Sequence, residues 1–246
     1  MRNFRMLLSY DGTRYQGWQR LGNTGETIQG KLEQTLSRML DAPVTVQGSG
    51  RTDAGAHAAG QVASFHADTA LSAQEICAGL RRYLPEDIGV LSLEEAEPRF
   101  HARLSASGKT YRYRVWNSHV PNVFERRYLY HMPARLDFQA MEHAAQDVLG
   151  THDFLSFCAN RHFKKSPVRT VTQLELQRIG DEVRFTVTGD GFLHHMVRIL
   201  VGTLLEVGLH RRGPDCMPEI LAARCREMAG ETAPARGLCL MEVYYG

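Results

Sequence analysis

No apolar run in this chain is long enough to span a bilayer as a helix, which excludes a helical membrane protein. Cysteine is sparse: Cys77, Cys158, Cys216, Cys225 and Cys239 are odd in number and form no C-x-x-C pair. Neither a disulfide framework nor a zinc site is expected, and reduced thiols fit a cytoplasmic protein. The first residues, Met1-Arg2-Asn3-Phe4-Arg5, have neither the apolar stretch nor the small-residue cleavage site of a secretory signal. The phosphate-cradling patterns G-x-x-x-x-G-K-[ST] and G-x-G-x-x-G are missing too, so no nucleotide cofactor is expected. Low-complexity tracts are absent, and 246 residues with 43% hydrophobic content suit one large globular domain or two ordinary ones.

Acid is scarce in two places. Between Arg99 and Arg135 stand Arg99, Arg103, Lys109, Arg112, Arg114, Arg126, Arg127 and Arg135, opposed only by Glu125. A second acid-free cluster holds Arg161, Lys164, Lys165 and Arg169. Acid gathers instead at Glu86, Asp87, Glu94, Glu95 and Glu97. A chain of net charge +2 thus gains a basic face, which is either simply solvated or suited to a polyanion. Tyr111, Tyr113, Trp116, Tyr128 and Tyr130 lie among these cations and offer flat surfaces to bases.

Phe4-Met6-Leu8-Tyr10 alternates as a half-buried strand, and Ile28, Leu32, Leu36 and Met39 recur at helical spacing over 27–40. Val44–Gln47 and Gln61–His66 read as strands. Ser72-x-x-Glu75 is a capping box opening a helix that stops before Pro85, and Ile88–Leu93 is a further strand. The order is β-α-β-β-α-β, the ferredoxin-like unit. The second half repeats it: strand Thr110–Trp116, helix Asp137–Leu149, hairpin Arg169–Arg178 with Val183–Thr188, helix Phe192–Val207, helix Pro214–Met228 and closing strand Leu238–Tyr245. The expected fold is α+β. Two ferredoxin-like halves, 1–100 and 101–246, carry mainly antiparallel sheets on either side of a central RNA-binding cleft.

Gly48-Ser49-Gly50-Arg51-Thr52-Asp53-Ala54-Gly55-Ala56-His57 concentrates three glycines, an arginine and an aspartate between two strands. Glycines let a backbone turn sharply and approach a ligand, so the loop can present Asp53 as a nucleophile or base. A surface turn with an ion pair gives the same pattern. Helix 192–207 is apolar nearly all round and therefore buried, yet it contains Arg198. Burying a lone charge costs several kcal/mol, so Arg198 requires a partner. An internal ion pair, a snorkelling side chain, a catalytic carboxylate or a phosphate each meets that need. His194 and His195 are adjacent, diverge by about 100° on a helix and make a poor metal pair. On strand 110–116, Tyr111 and Tyr113 face one way and Arg112 and Arg114 the other.

These residues match a known family. Tyr10-Asp11-Gly12-Thr13-Arg14-Tyr15-Gln16-Gly17-Trp18-Gln19, Gly50-Arg51-Thr52-Asp53-Ala54-Gly55-Ala56-His57 and Phe100-His101-Ala102-Arg103 come first. Lys109-Thr110-Tyr111-Arg112-Tyr113 and His152-Asp153-Phe154-Leu155-Ser156-Phe157 follow. His194-His195-Met196-Val197-Arg198 and Ala233-Pro234-Ala235-Arg236-Gly237-Leu238 complete the series. In this order and over nearly the whole length, the chain resembles tRNA pseudouridine synthases of the TruA type. Ala56 and Arg236 depart from the family's usual valine and histidine, and neither change removes a reactive group. The resemblance implies isomerisation of uridine to pseudouridine at positions 38, 39 and 40 of the tRNA anticodon stem-loop, by a homodimer that uses no cofactor or metal. It implies that Asp53 is the catalytic aspartate, that Tyr111 packs on the target base, and that Arg51 and Arg198 flank the site. An arginine beside an aspartate lowers its pKa by about 1–3 units and keeps it ionised. Lys109, Arg112, Lys164, Lys165 and Arg169 are expected on the tRNA backbone. A synthase acting on other RNA uridines and a non-catalytic RNA-binding protein are the competing readings. A glycoside hydrolase ranks last, because those enzymes rely on paired carboxylates.

Overall fold

The computed structural model describes residues 1–160 and 166–246. Contacts divide the chain into two compact units, Met1–Ser107 with Cys239–Gly246, and Gly108–Leu238. Both are α+β with mainly antiparallel strands, as the residue pattern leads one to expect.

The first unit runs β1 (Arg2–Tyr10), α1 (Ile28–Leu40), β2 (Val46–Gly48), β3 (His57–Ala67), α2 (Ala73–Tyr83) and β4 (Ile88–Ala96). β1 lies between β4 and β3, and β2 pairs with β3, all antiparallel. This is the ferredoxin-like strand order. Phe4, Met6 and Leu8 point inward from β1 and are fully enclosed, with Phe4 stacked on Phe65 at 5.1 Å. Ile28, Leu32 and Leu36 of α1 and Ile76 and Leu80 of α2 complete the core. Each such side chain removed from water contributes about 1.5–3 kcal/mol. The Thr27 hydroxyl accepts from the Gly30 N–H and caps α1, and the Ser72–Glu75 capping box closes in both directions on α2.

The second unit runs β5 (Ala106–Trp116), β6 (Tyr130–His131), α3 (Phe138–Gln146), β7 (Gly150–Asp153), β8 (Val168–Ile179), β9 (Glu182–Gly189), α4 (Met196–Gly208) and α5 (Met217–Ala223). The order β5-β9-β8-β7 is antiparallel throughout, and β6 adds a short parallel pairing to β5. Only Arg198 and Glu206 of the thirteen α4 residues escape full burial. α3 packs against α4 and β8.

Several boundaries differ from expectation. α4 starts at Met196 rather than Phe192, because His195 takes a left-handed φ of 61°. The helix expected over 214–228 is interrupted where Arg224 adopts φ 50°, leaving α5 and a separate 3-10 turn, Arg226–Met228. The closing strand β10 (Leu238–Tyr245) belongs to the first unit, pairing parallel to β3. Its Tyr245 hydroxyl donates to the Ala102 carbonyl, and Arg5 lies over the Tyr245 ring. Among the described residues no helix is long and apolar enough to cross a membrane.

One buried charge group organises the polar side of the strands of the second unit. Arg114 on β5 and Arg184 on β9 are directly opposed, so their like charges must be neutralised. Glu182 does this, accepting from Arg114 Nε at 2.7 Å and from Arg184 Nε at 2.6 Å. The hydrogen bonds from Arg114, outweighing desolvation, hold the Glu182 carboxyl at about 2 against an ordinary 4.5. A carboxylate whose folded pKa is depressed adds stability that is complete above its unfolded pKa and is lost as pH falls toward the folded one. Glu182→Gln is therefore expected to lower the urea midpoint at pH 7. The gap from wild type should narrow between about pH 5 and pH 2; a gap independent of pH would contradict the ion-pair account.

Candidate active site

The loop between β2 and β3 is held from below by its own residues and from the side by the segment that follows β1. Ala56 N–H donates to the Asp53 carbonyl at 3.1 Å, closing a four-residue turn. Gly55 has φ 78° and Ala54 is not in the left-handed region, which is the type II pattern with glycine at its third position. Asp53 occupies the first position of this turn and is half-buried. The Trp18 N–H donates to the Thr52 carbonyl at 3.0 Å, and the Gly55 N–H to the Tyr15 carbonyl at 3.2 Å. Gly12 donates to His57 Nδ1 at 3.1 Å and sits so close that a Cβ there would meet the Ala56 carbonyl oxygen at 1.9 Å. The segment Asp11–Gln19 thus clamps the loop at both ends. Its bracing role is not visible in sequence, where only the density of glycine, aspartate and aromatic residues marks it.

Arg51 and Asp53 are presented together on this loop. Arg51 is exposed, and its Nε donates to Gln19 Oε1 at 3.0 Å. The other two expected residues lie in the second unit. Tyr111 on β5 is 7% exposed, with its ring edge-on to Phe192 at 5.2 Å. Tyr113, two residues on, is a core residue whose hydroxyl donates to the Pro234 carbonyl at 2.7 Å. Burial raises the Tyr113 phenol well above its ordinary pKa, so it remains a donor. Arg198 is half-buried on α4; its Nε donates to the Ala233 carbonyl at 2.8 Å, and the Ala233 N–H returns a bond to the Arg198 carbonyl. Backbone carbonyl oxygen thus supplies part of the pairing that a buried guanidinium requires.

Among the candidate backbone contacts, Lys109, Arg112 and Arg169 are half-buried. The Arg112 Nε is enclosed without a hydrogen bond. Arg169 turns back to the Ser166 carbonyl at 2.9 Å. Lys164 and Lys165 lie outside the described residues. Arg114, counted within the basic face, is instead bound to Glu182 and to Glu125. His194 and His195 do not sit on a helix and do not diverge. They precede α4, and the left-handed backbone at His195 brings their rings to 3.8 Å.

An L-residue in the left-handed region costs about 1–2 kcal/mol, and asparagine tolerates it better than alanine. Gly55→Ala should therefore destabilise the protein by about that amount in urea unfolding, and Gly55→Asn by less. Equal stability of Gly55→Ala and wild type would show that the turn is not of this type.

The model of the tRNA pseudouridine synthase family matches residues 6–104 and 144–246. Arg51, Asp53 and Arg198 fall inside the matched segments, and Tyr111 falls between them. The chain is 44% identical to tRNA pseudouridine synthase A of Acetivibrio thermocellus over 245 residues, covering all of both chains. It is 47% identical to tRNA pseudouridine synthase A of Moorella thermoacetica, covering 98% of each. The tRNA pseudouridine synthase A 2 of Bacillus cereus is 42% identical, again over the full length of both. With the match running through both units and the relatives aligned end to end, the chain belongs to the tRNA pseudouridine synthase family.

Proposed function

We propose that the protein isomerises uridine to pseudouridine in the anticodon stem-loop of tRNA, at positions 38, 39 and 40, with Asp53 as the catalytic carboxylate. The observation that carries this reading is the half-buried Asp53, set on a glycine-dependent turn clamped by the preceding segment. The reaction breaks the N1–C1′ bond, turns the uracil and joins C5 to C1′; the hydrogen leaves C5 and N1 regains one. Atoms and electrons balance without an oxidant, a reductant or a nucleotide. An ionised carboxylate near the extruded nucleotide can attack the sugar, attack the base or remove the C2′ proton. A fixed aspartate serves all three routes.

Tyr111 packs on the target base in this reading, and Arg51 and Arg198 flank it. Base–aromatic stacking is worth roughly 1–3 kcal/mol, comparable with the few kcal/mol needed to extrude a nucleotide. Phe192 packs edge-on against the Tyr111 ring and so stiffens it. Lys109, Arg112, Lys164, Lys165 and Arg169 meet tRNA phosphates. The enzyme acts as a homodimer in the cytoplasm, with one tRNA touching both subunits.

Release of tritium from C5-labelled uridine in tRNA tests the chemistry directly, since C5 loses its hydrogen only after a bond to carbon forms there. Wild type should release label, and Asp53→Asn should bind tRNA yet release none. No release by wild type from any tRNA with uridine at these positions would leave an RNA-binding protein without the activity. For the backbone contacts, Lys164→Ala with Lys165→Ala should weaken tRNA binding and flatten its dependence on salt by about one to two phosphate contacts. An unchanged slope would remove both lysines from the interface.

A further inference from the structure

Beneath the Asp53 turn the first unit buries a chain of four polar side chains that the reaction, as described above, does not use. Ser49 and Gln61 are fully enclosed, Tyr10 is 4% exposed and Thr52 is 6% exposed. Gln61 lies on β3, and Tyr10 ends β1 just past a register shift between Leu8 and Tyr10. The Ser49 hydroxyl donates to Gln61 Oε1 at 2.6 Å, and Gln61 Nε2 donates to the Gly50 carbonyl at 3.0 Å and to the Tyr10 hydroxyl at 3.4 Å. Tyr10 and Thr52 share a hydrogen bond of 2.8 Å.

Donor counting sets the direction of part of this chain. An amide nitrogen only donates, so the Tyr10 oxygen accepts from Gln61, while either hydroxyl of the Tyr10–Thr52 pair can be the donor. Burial raises the Tyr10 phenol far above its ordinary pKa, so it stays protonated. The chain ends on Thr52, the residue that precedes Asp53. A buried polar network costs stability unless it is satisfied, and when satisfied it imposes one geometry on the backbone it touches. Here it touches Ser49, Gly50 and Thr52, three of the four residues before Asp53.

We propose that Tyr10, Gln61, Ser49 and Thr52 are positioning residues that hold the Asp53 carboxylate in its reactive place, and that turnover depends on them more than tRNA affinity does. This rests on the reading of Asp53 as the catalytic carboxylate. Misplacing a reacting group by about 1 Å can cost on the order of a hundredfold in rate.

Tyr10→Phe removes one oxygen and keeps the ring; Thr52→Val removes the hydroxyl at constant shape, and Thr52→Ser restores it. Tyr245→Phe is the control, because its hydroxyl makes a part-buried bond in the same unit, to the Ala102 carbonyl, away from the Asp53 loop. Kinetics of tritium release are compared with tRNA binding well below each melting temperature. Tyr10→Phe and Thr52→Val should lose about ten- to a hundredfold in kcat, with tRNA Kd within about twofold of wild type. Thr52→Ser and Tyr245→Phe should stay near the wild-type kcat. Wild-type kcat in folded Tyr10→Phe and Thr52→Val would overturn the proposal, as would equal losses in Tyr245→Phe. Should Tyr10→Phe fail to fold, the Thr52 pair decides alone. Asp53→Asn separates the two levels: if it is inactive while the network variants are not, only the positioning role falls. If Asp53→Asn turns over normally, the catalytic assignment falls as well.

Discussion

Backbone polar groups cannot be buried unpaired, and the loop that carries Asp53 depends on how that constraint is met. The Thr52 carbonyl, the Gly55 N–H and the Gly50 carbonyl are each satisfied by residues remote in sequence: Trp18, Tyr15 and Gln61. Three separate segments must therefore be in register before the turn can close. Ordering the loop costs backbone entropy of about 1–2 kcal/mol per residue, which the enclosing hydrogen bonds and the packing of Trp18 and Tyr15 offset. Both of those aromatic side chains are nearly fully buried. The same bonds that allow the loop to exist limit its freedom, and a reactive carboxylate benefits from that limit.

The second unit solves a different problem, the accumulation of cations in a sheet. Its basic residues divide by environment. Arg114 and Arg184 are consumed by Glu182, with Glu125 adding to Arg114, so they stabilise the sheet and are not available to a ligand on equal terms. Arg126 bonds the carbonyl of Val123 in its own loop. A basic segment in sequence is thus partly structural. Counting lysine and arginine overstates the positive surface, because an arginine in a bidentate pair is already matched.

Much of the fold was legible in the residues because it follows local rules. The alternation in β1, the spacing in α1, the capping box before α2 and the hairpin of β8 and β9 each act within a few residues. The structure places all four as expected. Two of the boundaries that differ lie where one residue takes a left-handed conformation, His195 and Arg224. Neither is glycine, and nothing in their side chains announces the change. Tertiary packing selects it. His194 and His195 lie ring to ring for the same reason, since the helix that would separate them begins only after both, at Met196.

For the candidate site, the sequence alone determined which chemical groups are present and which segment carries them: an Asp-bearing glycine loop, an aromatic-basic strand, and an arginine within an apolar helix. These are properties of short strings, where residue type and spacing suffice. Only the tertiary structure decided that Tyr113 is a core donor to Pro234, that Arg114 is held by two glutamates, and that β10 joins the first unit. It alone placed Tyr10 and Gln61 under the loop. The physical reason is that each of these outcomes depends on a partner more than ten residues away in the chain. Hydrogen bonds and ion pairs reward proximity in space, and proximity in space is set by how the sheet and helices pack.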